Sequence, residues 1–178
     1  QNYYQQKYSL KDDQCEVVYN GVSFDKLDHY ESRSLRNEFS IEESSLLLGA
    51  VGNIGEVRDQ LTICRFLKLL KSKYSDFTFL FIGKATNESL YQKCVDYCHE
   101  NDLDQNVLFL GSRTDVPNIL HQLDAFVYAS DHDTFGIAVI EAIAAGVPTF
   151  VNDWGVMREI TNDGKYATLY KTKDIHDL

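Results

Sequence analysis

Five short, almost wholly apolar runs recur along this chain with room for a helix between most neighbours: Ser45 to Ala50, Phe77 to Gly83, Val107 to Gly111, Ala125 to Ser130 and Pro148 to Asp153. A strand that faces water on one side alternates polar and apolar residues, whereas an unbroken apolar run needs cover on both faces, the situation of a strand inside a parallel sheet. The intervening segments carry helical spacing. In Arg58 to Tyr74, Leu61, Cys64, Leu67 and Leu70 recur every three residues behind Asp59, a residue suited to cap the first turn. Leu90, Cys94 and Cys98 form one stripe of a second helix, and Phe135 to Pro148 reads as a third, closed by Gly146 and Pro148. Repeated strand, loop and helix predict a single doubly wound, Rossmann-like α/β domain with a parallel sheet, its core spanning residues 45–170 and residues 1–44 leading into it.

Charge narrows the function. Asp and Glu number 27 against 17 Lys and Arg, a formal net charge of −10, which repels nucleic acid and anionic lipid over most of the surface. Any phosphate site must then be a local concentration of donors. The four cysteines, Cys15, Cys64, Cys94 and Cys98, show no Cys-x-x-Cys spacing and read as buried reduced thiols, which points to a reducing compartment. The first residues have neither the basic start nor the apolar stretch of a secretion signal, and no run approaches the ~20 apolar residues of a membrane span, so a cytoplasmic location is expected. The absence of an initiator Met suggests a piece of a longer protein.

In open α/β sheets ligands bind beyond the carboxyl ends of the strands, and the unusual residues of this sequence collect there. Gly52, Asn53 and Gly55 follow the first run, Gly83 and Lys84 the second, and Gly111, Ser112 and Arg113 the third. Ser130 to Gly136 follow the fourth and Asn152 to Gly155 the fifth. Any one of these glycines is as readily explained by a turn; five such loops on one edge are a candidate site. Gly49 to Gly55, GAVGNIG, imitates the cofactor loop of a short-chain dehydrogenase, but the second strand ends in Ile82, Gly83 and Lys84 without the acidic or basic ribose-reading residue such an enzyme needs, and the Tyr-x-x-x-Lys pair occurs only at Tyr3 and Lys7, ahead of the fold. Asp131, His132 and Asp133 imitate a metal motif, but no other spacing supplies the further ligands a metal requires, and no metal is expected.

Ser130 to Trp154, SDHDTFGIAVIEAIAAGVPTFVNDW, resembles the signature of family 4 glycosyltransferases, in which a carboxylate and Phe-Gly precede a helix ending in Glu-Ala-x-Ala-x-Gly-x-Pro. The two acidic positions of that motif are Asp133 and Glu141. Three further segments are similar to the family in the same order: Val17 to Phe24, Val51 to Gln60 and Val107 to Leu120. The resemblance implies the C-terminal half of a two-Rossmann (GT-B) enzyme that moves a hexosyl group from a nucleoside diphosphate, UDP or GDP, to an acceptor with retention of configuration. It implies no bound cofactor, and an acceptor sugar or lipid-linked glycan held by an N-terminal domain outside this sequence, compatible with peripheral membrane association of the whole enzyme. Alone, the domain is expected to bind donor and transfer nothing.

The residue types suit those roles. Thr134, Phe135, Gly136 and Ile137 open a helix whose first N–H groups and dipole favour a diphosphate. Glu141, further into that helix, can accept two hydrogen bonds from ribose hydroxyls, and Asp133 is expected to reach hydroxyls of the transferred sugar. Asn53 and Arg58 stand where the family places an Arg and a Lys, which leaves Arg58 as the main cation beside the leaving group. Gly52, Gly83, Gly111 and Arg113 complete the expected donor site, with Asp133, Arg58 and Glu141 carrying the chemistry. A nucleotide-binding module without catalysis, and a dehydrogenase-like cofactor domain, are the rival readings.

Overall fold

A computed structural model describes residues 2–16 and 18–178; Val17, first residue of one family-like segment, lies outside the described residues. Three short helices, α1 (Asn2–Tyr8), α2 (Asp25–Asp28) and α3 (Leu35–Phe39), lead into the sheet. There follow β1 (Leu46–Val51), α4 (Gln60–Lys73), β2 (Phe77–Ile82), α5 (Glu88–Glu100), β3 (Val107–Gly111) and α6 (Val116–Leu120). The chain continues through β4 (Ala125–Tyr128), α7 (Ile137–Ala144), β5 (Thr149–Asp153), α8 (Gly155–Thr161) and β6 (Thr168–Lys171). All strands are parallel, in the order β3-β2-β1-β4-β5-β6, the doubly wound arrangement expected from the alternation of runs.

The runs of β1 to β4 each feed two cores because successive side chains point to opposite faces. Leu47, Leu80, Ile82, Phe126 and Tyr128 join one core with Val139 and Ala142 of α7 and Met157 of α8. Leu48, Phe77, Phe79, Phe81 and Val127 join the other with Ile63, Cys64 and Leu67 of α4 and Cys94 and Cys98 of α5. The stripe read from the sequence is thus the face α4 buries, and Asp59 caps that helix by accepting the Thr62 N–H at 3.2 Å. Cys64, Cys94 and Cys98 are buried free thiols, as expected; Cys15 is half-buried.

The sheet was read one strand short. Thr168 to Lys171 is only four residues and sits at the edge, where exposed Thr168 and Lys171 dilute the apolar signal. Its anchor is Tyr170, buried, whose hydroxyl donates to the Tyr128 carbonyl at 2.8 Å. At the carboxyl edge, the Gly52 N–H donates to the Ile82 carbonyl and the Gly83 N–H to that of Gly111, each at 2.8 Å, so the ends of β1, β2 and β3 stay laced together past the last strand residue. Gly83 has φ +150°, and a Cβ there would stand 2.1 Å from the Gly52 carbonyl oxygen. Here glycine serves the close approach of two backbones.

Candidate functional site

The strand order reverses between β1 and β4, and the loops leaving these strands zip together. The Asp59 N–H donates to the Ala129 carbonyl and the Asp131 N–H to that of Val57, both at 3.1 Å, and Arg58 pairs with Ser130 as an isolated antiparallel bridge. Asn152 at the end of β5 fixes the second loop from below: its side chain accepts the Ser130 N–H at 3.0 Å and donates to the Ser130 carbonyl at 2.9 Å. Asn152 belongs to the loop residues that the sequence marks at the carboxyl edge, but its two-way grip on Ser130 could not be read from sequence.

This zipper sets Arg58 against Asp133, Nη1 to Oδ2 at 2.6 Å, in an ion pair whose side chains keep 20% and 11% of their exposure. The Tyr128 hydroxyl donates to the same Oδ2, and the guanidinium lies 4.5 Å from the Tyr128 ring centroid. Burial pulls the Arg58 guanidinium below its ordinary value, while Asp133 acts in the opposite sense. Oδ1 of Asp133 accepts the N–H groups of both Phe135 and Gly136 at 3.0 Å. Gly136, at φ +78°, turns the chain into α7. Two of the expected site groups are thus engaged within the chain. The Phe135 and Gly136 N–H groups are engaged by a carboxylate of this chain, so the first N–H groups left open at the helix start are those of Ile137 and Ala138. Asp133, with both oxygens engaged, is turned to its own loop instead of out to a sugar. Thr134 and Ile137 are exposed beside it. Tyr128 was missed because an aromatic residue in a β-run reads as core.

Glu141 lies one helical turn beyond Ile137, about 6 Å along the axis, and lines a cleft of about 750 Å³ with Arg113, Ser112, Tyr30 and Lys26. Arg113 is held rigidly: Nε and Nη2 donate to Asp115 at 2.8 and 2.7 Å, and Nη1 and Nη2 to Glu38 at 2.6 and 3.1 Å. These carboxylates raise its already high pKa, so its charge is permanent. The wall carrying Lys26 and Tyr30 comes from α2 and the residues just after it, before the sheet begins. Asn53, Gly55, Arg58 and Asn87 line a second cleft of about 410 Å³. Asn53 is a loop tie, its Oδ1 accepting the Lys84 N–H at 3.1 Å. Gly52 and Gly83 serve the backbone lacing, and Gly111, at φ +64°, turns the chain towards Ser112 and Arg113. Of the expected residues, Glu141 and Arg113 line one cleft and Arg58 and Asn53 the other, while Asp133 and the residues opening α7 line neither.

Asp131 and Asp133 diverge, the former pairing with Lys173 at 3.1 Å, and among the described residues no three His, Cys, Asp or Glu side chains converge as a metal site.

Burial raises the Glu141 carboxyl above its ordinary range, opposed by Lys26. A carboxyl whose folded pKa is raised favours the fold while protonated, and that contribution is lost as pH rises through the folded value. Glu141→Gln stays neutral throughout. It is expected to match the native chain in acid and to exceed its stability at neutral pH, in urea melts at the two pH values; equal midpoints at neutral pH would show the carboxylate to be fully solvated.

Comparison with known proteins bears on the family and the fold. Residues 31–178 match the family model described as glycosyl transferases group 1. The chain is 27% identical over 160 residues to N-acetyl-alpha-D-glucosaminyl L-malate synthase of Bacillus anthracis, covering 89% of this chain and 41% of that protein. It is 30% identical over 124 residues to the lipopolysaccharide core biosynthesis mannosyltransferase LpsB of Rhizobium meliloti, covering 66% and 35%. Anabaena HepE, solved in complex with UDP and glucose, superposes with a TM-score of 0.84 at 18% identity over 97% of this chain and 47% of that one. The C-terminal domain of a group 1 glycosyl transferase, LpcC of Francisella tularensis, gives a TM-score of 0.71 at 22% identity over 88% and 83%. The chain therefore spans less than half the length of the curated relatives it matches.

Proposed function

We propose that this chain, which belongs to the glycosyl transferases group 1 family, is the donor-binding domain of a family 4 enzyme that transfers a sugar from a nucleoside diphosphate with retention of configuration. The observation that carries the reading is the placement of Glu141 in a cleft one turn beyond the open N–H groups of Ile137 and Ala138. That separation suits a nucleotide whose ribose hydroxyls meet the carboxylate while its pyrophosphate meets the helix start. The nucleobase then enters the cleft between Tyr30 and the loop of Ser112 and Arg113. Arg58 faces the second cleft as the cation for the terminal phosphate.

In the reaction the bond from the anomeric carbon to the phosphate oxygen breaks, the oxygen of an acceptor hydroxyl bonds to that carbon, and the hydroxyl proton passes to the departing diphosphate, on which negative charge develops. Fixed N–H groups and a guanidinium at that oxygen stabilise the transition state more than the bound donor. UDP is the favoured donor nucleotide because HepE was solved with it. An acceptor in surface polysaccharide or glycoconjugate synthesis is supported by relatives such as LpsB. The remainder of the relatives' length is where the acceptor is expected to bind, with or without peripheral membrane docking. Among the described residues no helix is long and apolar enough to cross a membrane, and the buried thiols favour a cytoplasmic setting.

The test is a thermal-shift series with UDP, GDP, ADP and NAD. One nucleoside diphosphate at a hundred times its dissociation constant stabilises by about 2.7 kcal/mol, a rise of roughly 5–10 °C for a chain of this size. NAD should shift nothing, and the chain alone should transfer no sugar. A response to NAD alone would replace the reading with that of a dinucleotide-cofactor domain.

A further inference from the structure

The donors gathered at the start of α7 are already satisfied by a charge of the chain itself. Asp133 draws on four of them: the N–H groups of Phe135 and Gly136 at Oδ1, and the Arg58 guanidinium and Tyr128 hydroxyl at Oδ2. Two backbone N–H groups at a helix start, a guanidinium and a hydroxyl are the set that would otherwise face a phosphate group. We propose that Asp133 is an internal occupant of this donor set, a carboxylate that holds Arg58 in place and opposes the arriving diphosphate by its charge, so that it weakens nucleotide binding instead of contributing to it. The inference rests on the proposed donor site.

Three observations support it together. The pair is largely withdrawn from solvent, so its charges are poorly screened. Arg58 has no second carboxylate among the described ion pairs, so any anion it takes up must share it with Asp133. Tyr128, packed beneath the guanidinium and donating to Asp133, fixes both members and keeps the carboxylate turned inwards. For the reaction the arrangement has a use. A diphosphate product that is held less tightly is released more readily, and product release limits turnover in many enzymes.

Asp133→Asn retains an Oδ1 to accept the Phe135 and Gly136 N–H groups, removes the charge and replaces the acceptor of Arg58 and Tyr128 with an amide NH2. Asp133→Ser, which also caps a helix well, guards against an amide that packs badly. Calorimetric titration with UDP and with uridine, on the native chain and both variants, is the experiment. The expected result is UDP affinity increased about tenfold in either variant, equivalent to ~1.4 kcal/mol, with uridine affinity unchanged because uridine carries no diphosphate. With Arg58→Ala added, the gain should shrink, since the contested cation is gone. Weaker or unchanged UDP binding in folded variants, with the native chain binding UDP, would overturn the inference and leave the donor site standing. An equal gain for uridine would also overturn it, as a change of cleft shape instead of charge. Failure of the native chain to bind UDP or GDP would overturn the donor site and this inference with it.

Discussion

Glu141→Ala is expected to abolish the response to UDP while leaving the fold intact. The carboxylate is the acidic side chain that α7 contributes to the 750 Å³ cleft, and charge-assisted hydrogen bonds of the kind it would accept contribute about 1.5–3 kcal/mol each. Losing two amounts to a weakening of roughly 10²- to 10⁴-fold, enough to bring a micromolar ligand to the edge of detection. The native fold survives because the side chain is half-buried and enters no hydrogen bond among the described residues, and the substitution removes a carboxyl that burial disfavours when ionised. Calorimetry on the purified variant, with its circular dichroism unchanged, checks this. Retention of UDP affinity within a factor of three would show that the ribose lies elsewhere.

Gly83→Val is expected to produce the largest loss of stability of any single change considered. The first side-chain carbon would meet the Gly52 carbonyl oxygen at 2.1 Å and the Asn53 nitrogen at 2.9 Å, and the φ of +150° is one that β-branched residues avoid. Neither obstacle is a flexible side chain that could swing away. Relief requires the ends of β1 and β2 to part, which breaks the bond from the Gly52 N–H to Ile82 and carries Asn53 and Arg58 away from the site. A cost of at least ~3 kcal/mol is expected, seen as a urea midpoint that collapses or as an insoluble product. A midpoint within 0.5 kcal/mol of native, on the scale of an ordinary surface change, would show that this approach of backbones is not obligatory.

The extent to which the sequence foretold the structure depended on how local each determinant is. Strands β1 to β5 were legible because a buried parallel strand writes itself as an uninterrupted apolar run, and α4 and α5 because their buried stripes repeat within each helix. Edge strand β6 was not, since half its residues face water and its attachment depends on Tyr170 reaching Tyr128 across 42 positions of sequence. The same division runs through the site. Glu141 and Arg58 were legible as chemistry-bearing residues in loops and helix starts. The direction in which Asp133 points was not, because it is set by partners on three different segments: Arg58, Tyr128 and the opening of α7. Composition could announce an acidic chain, but only the folded arrangement shows Arg58 paired with one of its own acids.

Residues 23–31 form one bank of the Glu141 cleft, although they precede every strand of the sheet. The sheet and its helices form one rigid bank; the other is a stretch of polypeptide with only short helical turns, resting on α6 through the buried Leu27. A ligand seated there, as proposed, would be held between the sheet and a peptide that is tied to the rest of the domain on both sides, by Tyr19 to Glu159 ahead of it and by Leu35 to Gln122 after it.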